Sequence, residues 1–441
     1  MGALAVVGIF VALAVMTVLI YKGLHPAIAT ILCVLIVLVT NGMNIGETMS
    51  SAWTEVGTLY GVMVPLFIFG GILSLLYVES GAIDSLADLF LKPVGLCKNP
   101  SLGVAIALVF YLFLTVIVGI GGIDCYAVTP LLVALALGFC AKMNIPNKFA
   151  VSMGLIGMTV MCIIPGTAQT MNIMAESFVE GFDNREQIPL RLLVMIIYLL
   201  ICVVVMTVAI RRDHKKGLGF QEGVGSLGVG GKVEKRKMPW LMPFIPILVV
   251  EILYMAMGMT AWMCVGIGCV VALICFMPWL NSNRGEKKLV EYLFETIWKG
   301  THCIPLQMLV VGIMSTVLGT SPGLTSISNF FGSAAMPAAF ACMIICVLVM
   351  GFTGTTGLIA VAPIAASLFM PKGLSAMAIV MIALWGKSVF DTLPINSMIP
   401  IMCDMSGVEF KKAYPMVFVT TVIVTFVMTL IVTIMSAGGL F

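Results

Sequence analysis

Residues 119–126 read GIGGIDCY, and residues 351–357 repeat the theme as GFTGTTG. Each glycine cluster sits inside a long apolar segment, 102–140 in the first case and 340–370 in the second. Backbone released from a helix in lipid finds no water, so such an interruption persists only where protein or a hydrated cavity surrounds it. One interruption in each half of a chain points to a transport site built from discontinuous helices.

Working outward, composition sets the class. Of 441 residues, 61% are hydrophobic and 10% charged, and the mean hydropathy is +1.15. Ordinary soluble domains carry about 25% charged residues, so this chain reads as an all-α polytopic membrane protein. The net charge of +3 gives no reason to expect a nucleic-acid partner. Thirteen cysteines form no CxxC pair and mostly lie inside apolar runs, where they act as small hydrophobes. Residues 3–20 lack a basic leader region and a small-residue cleavage motif, which makes them a first transmembrane helix rather than a signal peptide.

Segments of about 20 apolar residues, enough to cross the hydrocarbon core, occur in the same order twice. The first half has 3–20, 24–40, 61–78, the interrupted 102–140, a broken helix over 149–178 with its break at Pro165–Gly166, and 192–210. The second has 239–258, 262–280, 300–318, the interrupted 340–370, a broken helix over 376–402 with its break near Pro394, and 416–436. Between them, residues 211–238 are rich in glycine, lysine and arginine and read as a linker. The expected domains are therefore a first repeat over 1–210, the linker 211–238, and a second repeat over 239–441.

Orientation follows from the positive-inside rule. If 102–140 and 340–370 are re-entrant hairpins and each half otherwise crosses five times, 19 of the 23 Lys and Arg residues fall on the linker's side. That side is then cytoplasmic, both termini lie outside, and the halves are inverted relative to each other. Were 102–140 to cross instead, Lys142 and Lys148 would move outside and the basic linker would follow. A weak internal likeness agrees: 70–90 against 311–331 shares six of 21 residues without gaps, Gly71/Gly312 and Ser80/Ser321 among them.

Broken helices expose partial positive charge at half-helix N-termini, which favours a carboxylate, and free carbonyls, which favour a cation. The candidate substrate-binding residues are Gly121, Gly122, Asp124, Thr167, Gln169 and Asn172 in the first half. Thr353, Gly354, Thr355, Thr356, Asn396 and Ser397 serve in the second. Asp124, Lys387 and Asp391 are the candidate ion-coupling residues, because ionisable side chains inside a membrane are costly and mark ion paths. Lys387 and Asp391 are four apart, a spacing that also allows them simply to pair. Glu79 and Glu251 are weaker candidates, and His302 and Trp298 read as anchors of a span end. Arg185 and Arg191 fall in an outside loop, so anion binding is expected without arginine. No cofactor is expected beyond H+ or Na+ as the coupling ion, no metal site, and no enzymatic motif.

The runs PLFIFGGILSLLYVESGAIDSLADLFLKPVG, VGIGGIDCYAVTPLLVALALGFCAKMNIPNK, CIIPGTAQT, GFTGTTGLIAVAPIAA and SMIPIMCDMSGVEFKKAYP resemble the gluconate permease family of the ion transporter superfamily. The resemblance implies a proton-coupled symporter for a sugar acid or hydroxy acid in the inner membrane. It also implies a homodimer whose hairpins and broken helices move against a scaffold, elevator fashion. The alternative from the residues themselves is a channel or passive pore for small anions, which would need a continuous polar path.

Overall fold

The structure, a computed structural model, describes residues 2–22, 24, 26–82, 85–86, 89, 100–122, 129–222, 236, 238–301, 306–333, 336–350, 357–393 and 398–441. Among these residues every regular element is helical. The first half comprises α1 (Gly2–Tyr21), α2 (Pro26–Thr40), α3 (Ile45–Ser80), α4 (Pro100–Ile120), α5 (Thr129–Lys142), α6 (Lys148–Ile163), α7 (Thr170–Phe178) and α8 (Ile188–His214). The second comprises α9 (Phe244–Glu251), extended by a π-helical turn over Ile252–Ala256, then α10 (Ala261–Asn283), α11 (Leu289–Thr301), α12 (Leu306–Gly319) and α13 (Pro322–Ser333). It continues with α14 (Ala338–Ile345) and a π turn over Cys346–Met350, α15 (Gly357–Phe369), α16 (Ala376–Asp391) and α17 (Met398–Ser406). Last come α18 (Phe410–Val417), a π turn over Phe418–Ile423, and α19 (Val424–Ala437).

The first helix breaks at Pro165–Gly166, between Ile163 and Thr170; in the second half the helix ends at Asp391 and the next begins at Met398, and Pro394 lies outside the described residues. α6 and α16 are each 16 residues long, and the half-helices α7 and α17 are each 9. Lys148 and Ala376 start the first pair, Thr170 and Met398 the second, and both pairs stand the same 228 residues apart. Of the residues in the internal likeness, Ser80 is the last residue of α3 and Ser321 immediately precedes α13. Each serine is buried and closes a helix end, Ser80 Oγ accepting from Ala82 N–H and Ser321 Oγ from Leu324 N–H.

Three expected boundaries are corrected. α3 begins at Ile45, well before residue 61, because Asn44 caps it by accepting from the N–H groups of Gly46 and Glu47. It ends at Gly81, which takes the left-handed conformation (φ 77°) that glycine adopts freely. The expected span 300–318 is preceded by the amphipathic helix α11, and Arg211 and Arg212 of the expected linker continue α8.

The helices sort into two packing groups. In one, α1 packs on α2 and α13, α2 on α12, α3 on α10, α11 and α12, and α9 on α10. In the other, α6 packs on α4, α5 and α18, α16 on α14, α15 and α19, and α8 on α4 and α19. Each group draws elements from both halves. Four helical stretches among the described residues are long and apolar enough to cross a membrane: Leu102–Ile120, Ile188–His214, Ala261–Asn283 and Phe410–Ala437. α8 shows why. Leu193, Ile196, Leu200, Val204 and Val208 are exposed along one face while Val194, Tyr198 and Cys202 are buried on the other. A helix apolar on both faces needs lipid against its outer one.

Candidate functional site

The first break is described completely, and its own side chains close it. Pro165 has no N–H to give, and Gly166 adopts φ 70°, so the α6 ladder stops and leaves carbonyls and amides without helical partners. The Ile164 carbonyl accepts from Asn172 Nδ2 at 2.5 Å and from Thr167 Oγ1 at 3.0 Å. The Gly166 N–H donates to both the carbonyl and the side-chain oxygen of Asn184, each at 3.2 Å. Asn184 Nδ2 in turn donates to the Thr167 carbonyl at 2.9 Å.

The hairpin joins this knot. Gln169 Nε2 donates to the carbonyl of Gly119 at 2.5 Å, which ties the break to the end of α4. A Cβ on Gly121 would sit 2.9 Å from Ile247 of α9, and one on Gly122 would sit 2.9 Å from Val265 of α10 and 3.5 Å from Ala168. The turn is therefore wedged between the break and the first two helices of the second half. Only glycine fits there, and Gly122 also needs its positive φ of 68°.

Thr167, Gln169 and Asn172 are thus brought together, all buried, and all three bond to backbone. Asp124, Thr353, Gly354, Thr355, Thr356, Asn396 and Ser397 lie outside the described residues, as does His302. Lys387 is buried in α16 at 2% exposure. Asp391 stands one turn further along the same helix, where the ammonium acts on it electrostatically. Next to it, Thr392 and Thr421 share a hydroxyl–hydroxyl hydrogen bond of 2.6 Å, linking the end of α16 to the π turn before α19. Glu79 accepts from Tyr292 Oη at 2.7 Å, whereas Glu251 keeps one buried carboxylate oxygen without a partner.

Arginine is not absent from the site, contrary to the expectation from the loop count. Arg191, 2% exposed, donates from Nη1 to the Asn184 carbonyl at 2.7 Å and from Nη2 to Asn172 Oδ1 at 3.2 Å and Asn184 Oδ1 at 3.1 Å. Its guanidinium lies over the Phe182 ring, and its Nε is buried without a partner. Sequence reading also missed Asn184. The available signal was the buried stripe of α8, in which Arg191 falls in register with Val194, Met195, Tyr198 and Cys202.

The breaks are cross-braced. α7, beyond the first break, packs on α15, the second arm of the second interrupted segment; α17, beyond the second break, packs on α5, the second arm of the first. The N-terminus of α7 has no side-chain cap from Gln169, so it keeps the partial positive charge of its free amides. Among the described residues no cluster of His, Cys, Asp and Glu is placed to hold a metal ion.

These features define a polytopic helical membrane protein in which the half-helices α7 and α17 each pack on an arm of an interrupted segment. No protein-family model matches the chain, and no curated protein matches it, so the resemblance to gluconate permeases has no family-level match behind it. Among solved structures it is similar to the crystal structure of the Alcanivorax borkumensis YdaH transporter, reported to have an unusual topology. The TM-score is 0.59 at 12% sequence identity, over 88% of this chain and 88% of that one. At that identity the likeness establishes the fold, which is one that a membrane transporter uses.

Proposed function

We propose that this protein is a secondary active transporter, a symporter that carries a small organic carboxylate of the sugar-acid or hydroxy-acid kind together with H+. The observation that carries the reading is the cross-bracing of two broken helices by the arms of two interrupted segments, the arrangement in which transporters house substrate. The uncapped N-terminus of α7 and the buried guanidinium of Arg191 both favour an anion. The resemblance to gluconate permeases supports the substrate class, the proton and a homodimer in the inner membrane with the linker in the cytoplasm. In this reading the packing group of α4–α8 and α14–α19 moves against the group of α1–α3 and α9–α13, elevator fashion, and carries the site from one face to the other.

The test is uptake of radiolabelled sugar acids, hydroxy acids and short carboxylates into proteoliposomes under an imposed H+ or Na+ gradient. Accumulation of one carboxylate under an inward H+ gradient is expected. Equilibration without accumulation would make the protein a passive pore, and accumulation under a Na+ gradient alone would replace the coupling ion.

A further inference from the structure

One cluster across the interface of the two packing groups is used by none of the roles above. Glu176, at the seventh position of α7, has a side chain 27% exposed. Its Oε1 accepts from Arg185 Nη1 at 3.2 Å, and its Oε2 accepts from Tyr254 Oη at 3.2 Å. Tyr254 belongs to the π-helical turn after α9, hence to the other packing group. The Arg185 guanidinium lies 4.3 Å from the centre of the Tyr254 ring and donates from Nε and Nη2 to the Tyr254 carbonyl, each at 3.4 Å. Tyr254 Oη also accepts from Asn184 Nδ2 at 3.0 Å, so the same hydroxyl reaches into the knot at the first break. Around it the interface is apolar, with Ile247 against Gly121 and Met255 against Gly166.

The structure assigns Glu176 as a proton-binding site that latches the two groups together. Ionised, its two oxygens hold Arg185 and Tyr254 at once, and both bonds are charge-assisted. Protonation turns the carboxylate into a neutral acid, removes the ion pair with Arg185 and leaves one oxygen as a donor facing the Tyr254 hydroxyl. The other charged and titratable groups around it are Asp183, 3.8 Å from Arg185 Nη1, and Arg191, bonded to Asn184. α15, which packs on α7, carries no ionisable residue. Of the other helices packed on α7, the ionisable groups of α3 nearest its end are held by other partners, Tyr77 by the Pro243 carbonyl and Glu79 by Tyr292, and Lys148 of α6 pairs with Asp213. The position 228 residues on is Asp404 of α17, which is exposed, so the latch belongs to one half only. As a coupling device it rests on the transport reading; as a latch it does not.

The experiment is hydrogen exchange of the backbone over residues 179–187 in the purified, lipid-embedded protein, corrected for the intrinsic pH dependence of amide exchange. In the wild type, exchange should quicken about tenfold between about pH 8 and about pH 4, a range that reaches into ordinary carboxylate titration, as the carboxylate gains its proton and two charge-assisted bonds go. Glu176→Gln should exchange fast at both ends with no pH response, and Glu176→Asp should restore the slow state. Tyr254→Phe should be intermediate and still respond to pH. Exchange in Glu176→Gln as slow as in the wild type, or wild-type exchange indifferent to pH, would overturn the assignment. Uptake by the same variants is read separately. If no carboxylate is transported, the functional reading falls while the exchange result stands; if Glu176→Gln accumulates substrate under a pH gradient like the wild type, the coupling role falls alone.

Discussion

Replacing Asn184 by alanine tests the knot at the first break. The side chain is fully buried and uses its whole hydrogen-bonding capacity. It donates to the Thr167 carbonyl and Tyr254 Oη, and it accepts from the Gly166 N–H and Arg191 Nη2. The consequences differ by partner. Gly166 N–H keeps the Asn184 carbonyl, Arg191 keeps Asn172 and the same carbonyl, and Tyr254 keeps Glu176. The Thr167 carbonyl loses its partner, and a stranded buried acceptor costs about 1–3 kcal/mol. Three weakened bonds add about 0.5–1.5 kcal/mol each before their coupling within one network is allowed for. A total of about 3–5 kcal/mol is expected, which for a chain of 441 residues corresponds to a midpoint lowered by about 3–5 °C at the usual unfolding entropy per residue. The assay is thermal unfolding of the purified protein in one detergent, wild type beside Asn184→Ala and Asn184→Asp. The aspartate keeps the shape and gains an ion pair with Arg191, so it should fall between the other two. A midpoint for Asn184→Ala within about 1 °C of wild type would refute the claim that these bonds hold the break together.

Gly166→Ala should destabilise by about 1–3 kcal/mol, since alanine must adopt a left-handed backbone with its Cβ 2.7 Å from Ile188 Cδ1. The double variant Gly166→Ala/Ile188→Val should recover only the steric part, read by the same unfolding assay. Gln169→Leu removes the bond to the Gly119 carbonyl, which retains the Gly122 N–H at 3.1 Å. The loss should be limited to about 1 kcal/mol, with uptake falling more than stability if the tie between hairpin and break matters to transport. Asp124→Asn should abolish gradient-driven accumulation while leaving exchange of substrate across the membrane intact; normal accumulation would remove Asp124 from the coupling path.

What could be read from the chain without coordinates was the punctuation of its helices. Pro165–Gly166 is a break whatever surrounds it, because proline lacks a donor and glycine alone enters left-handed backbone at no cost. α6 and α16 are equal in length, as are α7 and α17, although Pro165 and Pro394 are one position out of register at the offset of 228 residues and only the first break has a Pro-Gly step. Which side chains answer the break was less legible. Thr167, Gln169 and Asn172 were read as substrate donors, yet in lipid the first obligation of a polar side chain near a break is the stranded backbone. Arg191 reads as a loop residue when the apolar span is begun at residue 192, whereas the helix begins at Ile188. Its position is on the buried stripe of α8, and no count of loop charges registers such a stripe.

The consequence for movement follows from where the bonds run. Nearly every polar contact of the first break stays within residues 164–191 or reaches the adjoining Gly119, so the knot holds its shape whatever it rests on. Toward α9 and α10 the contacts are the apolar ones of Ile247, Met255 and Val265, which slide without leaving a polar group unpaired. The exceptions are the bonds to Tyr254. Displacement of one packed body past another needs this division, strong inside and non-directional across the seam. Tyr254→Phe should therefore speed the displacement and barely touch the integrity of the break. Measured in proteoliposomes, that means faster substrate exchange with the thermal midpoint lowered by less than in Asn184→Ala. A Tyr254→Phe protein that unfolds as readily as Asn184→Ala would place Tyr254 inside the knot and remove the seam on which this account of movement depends.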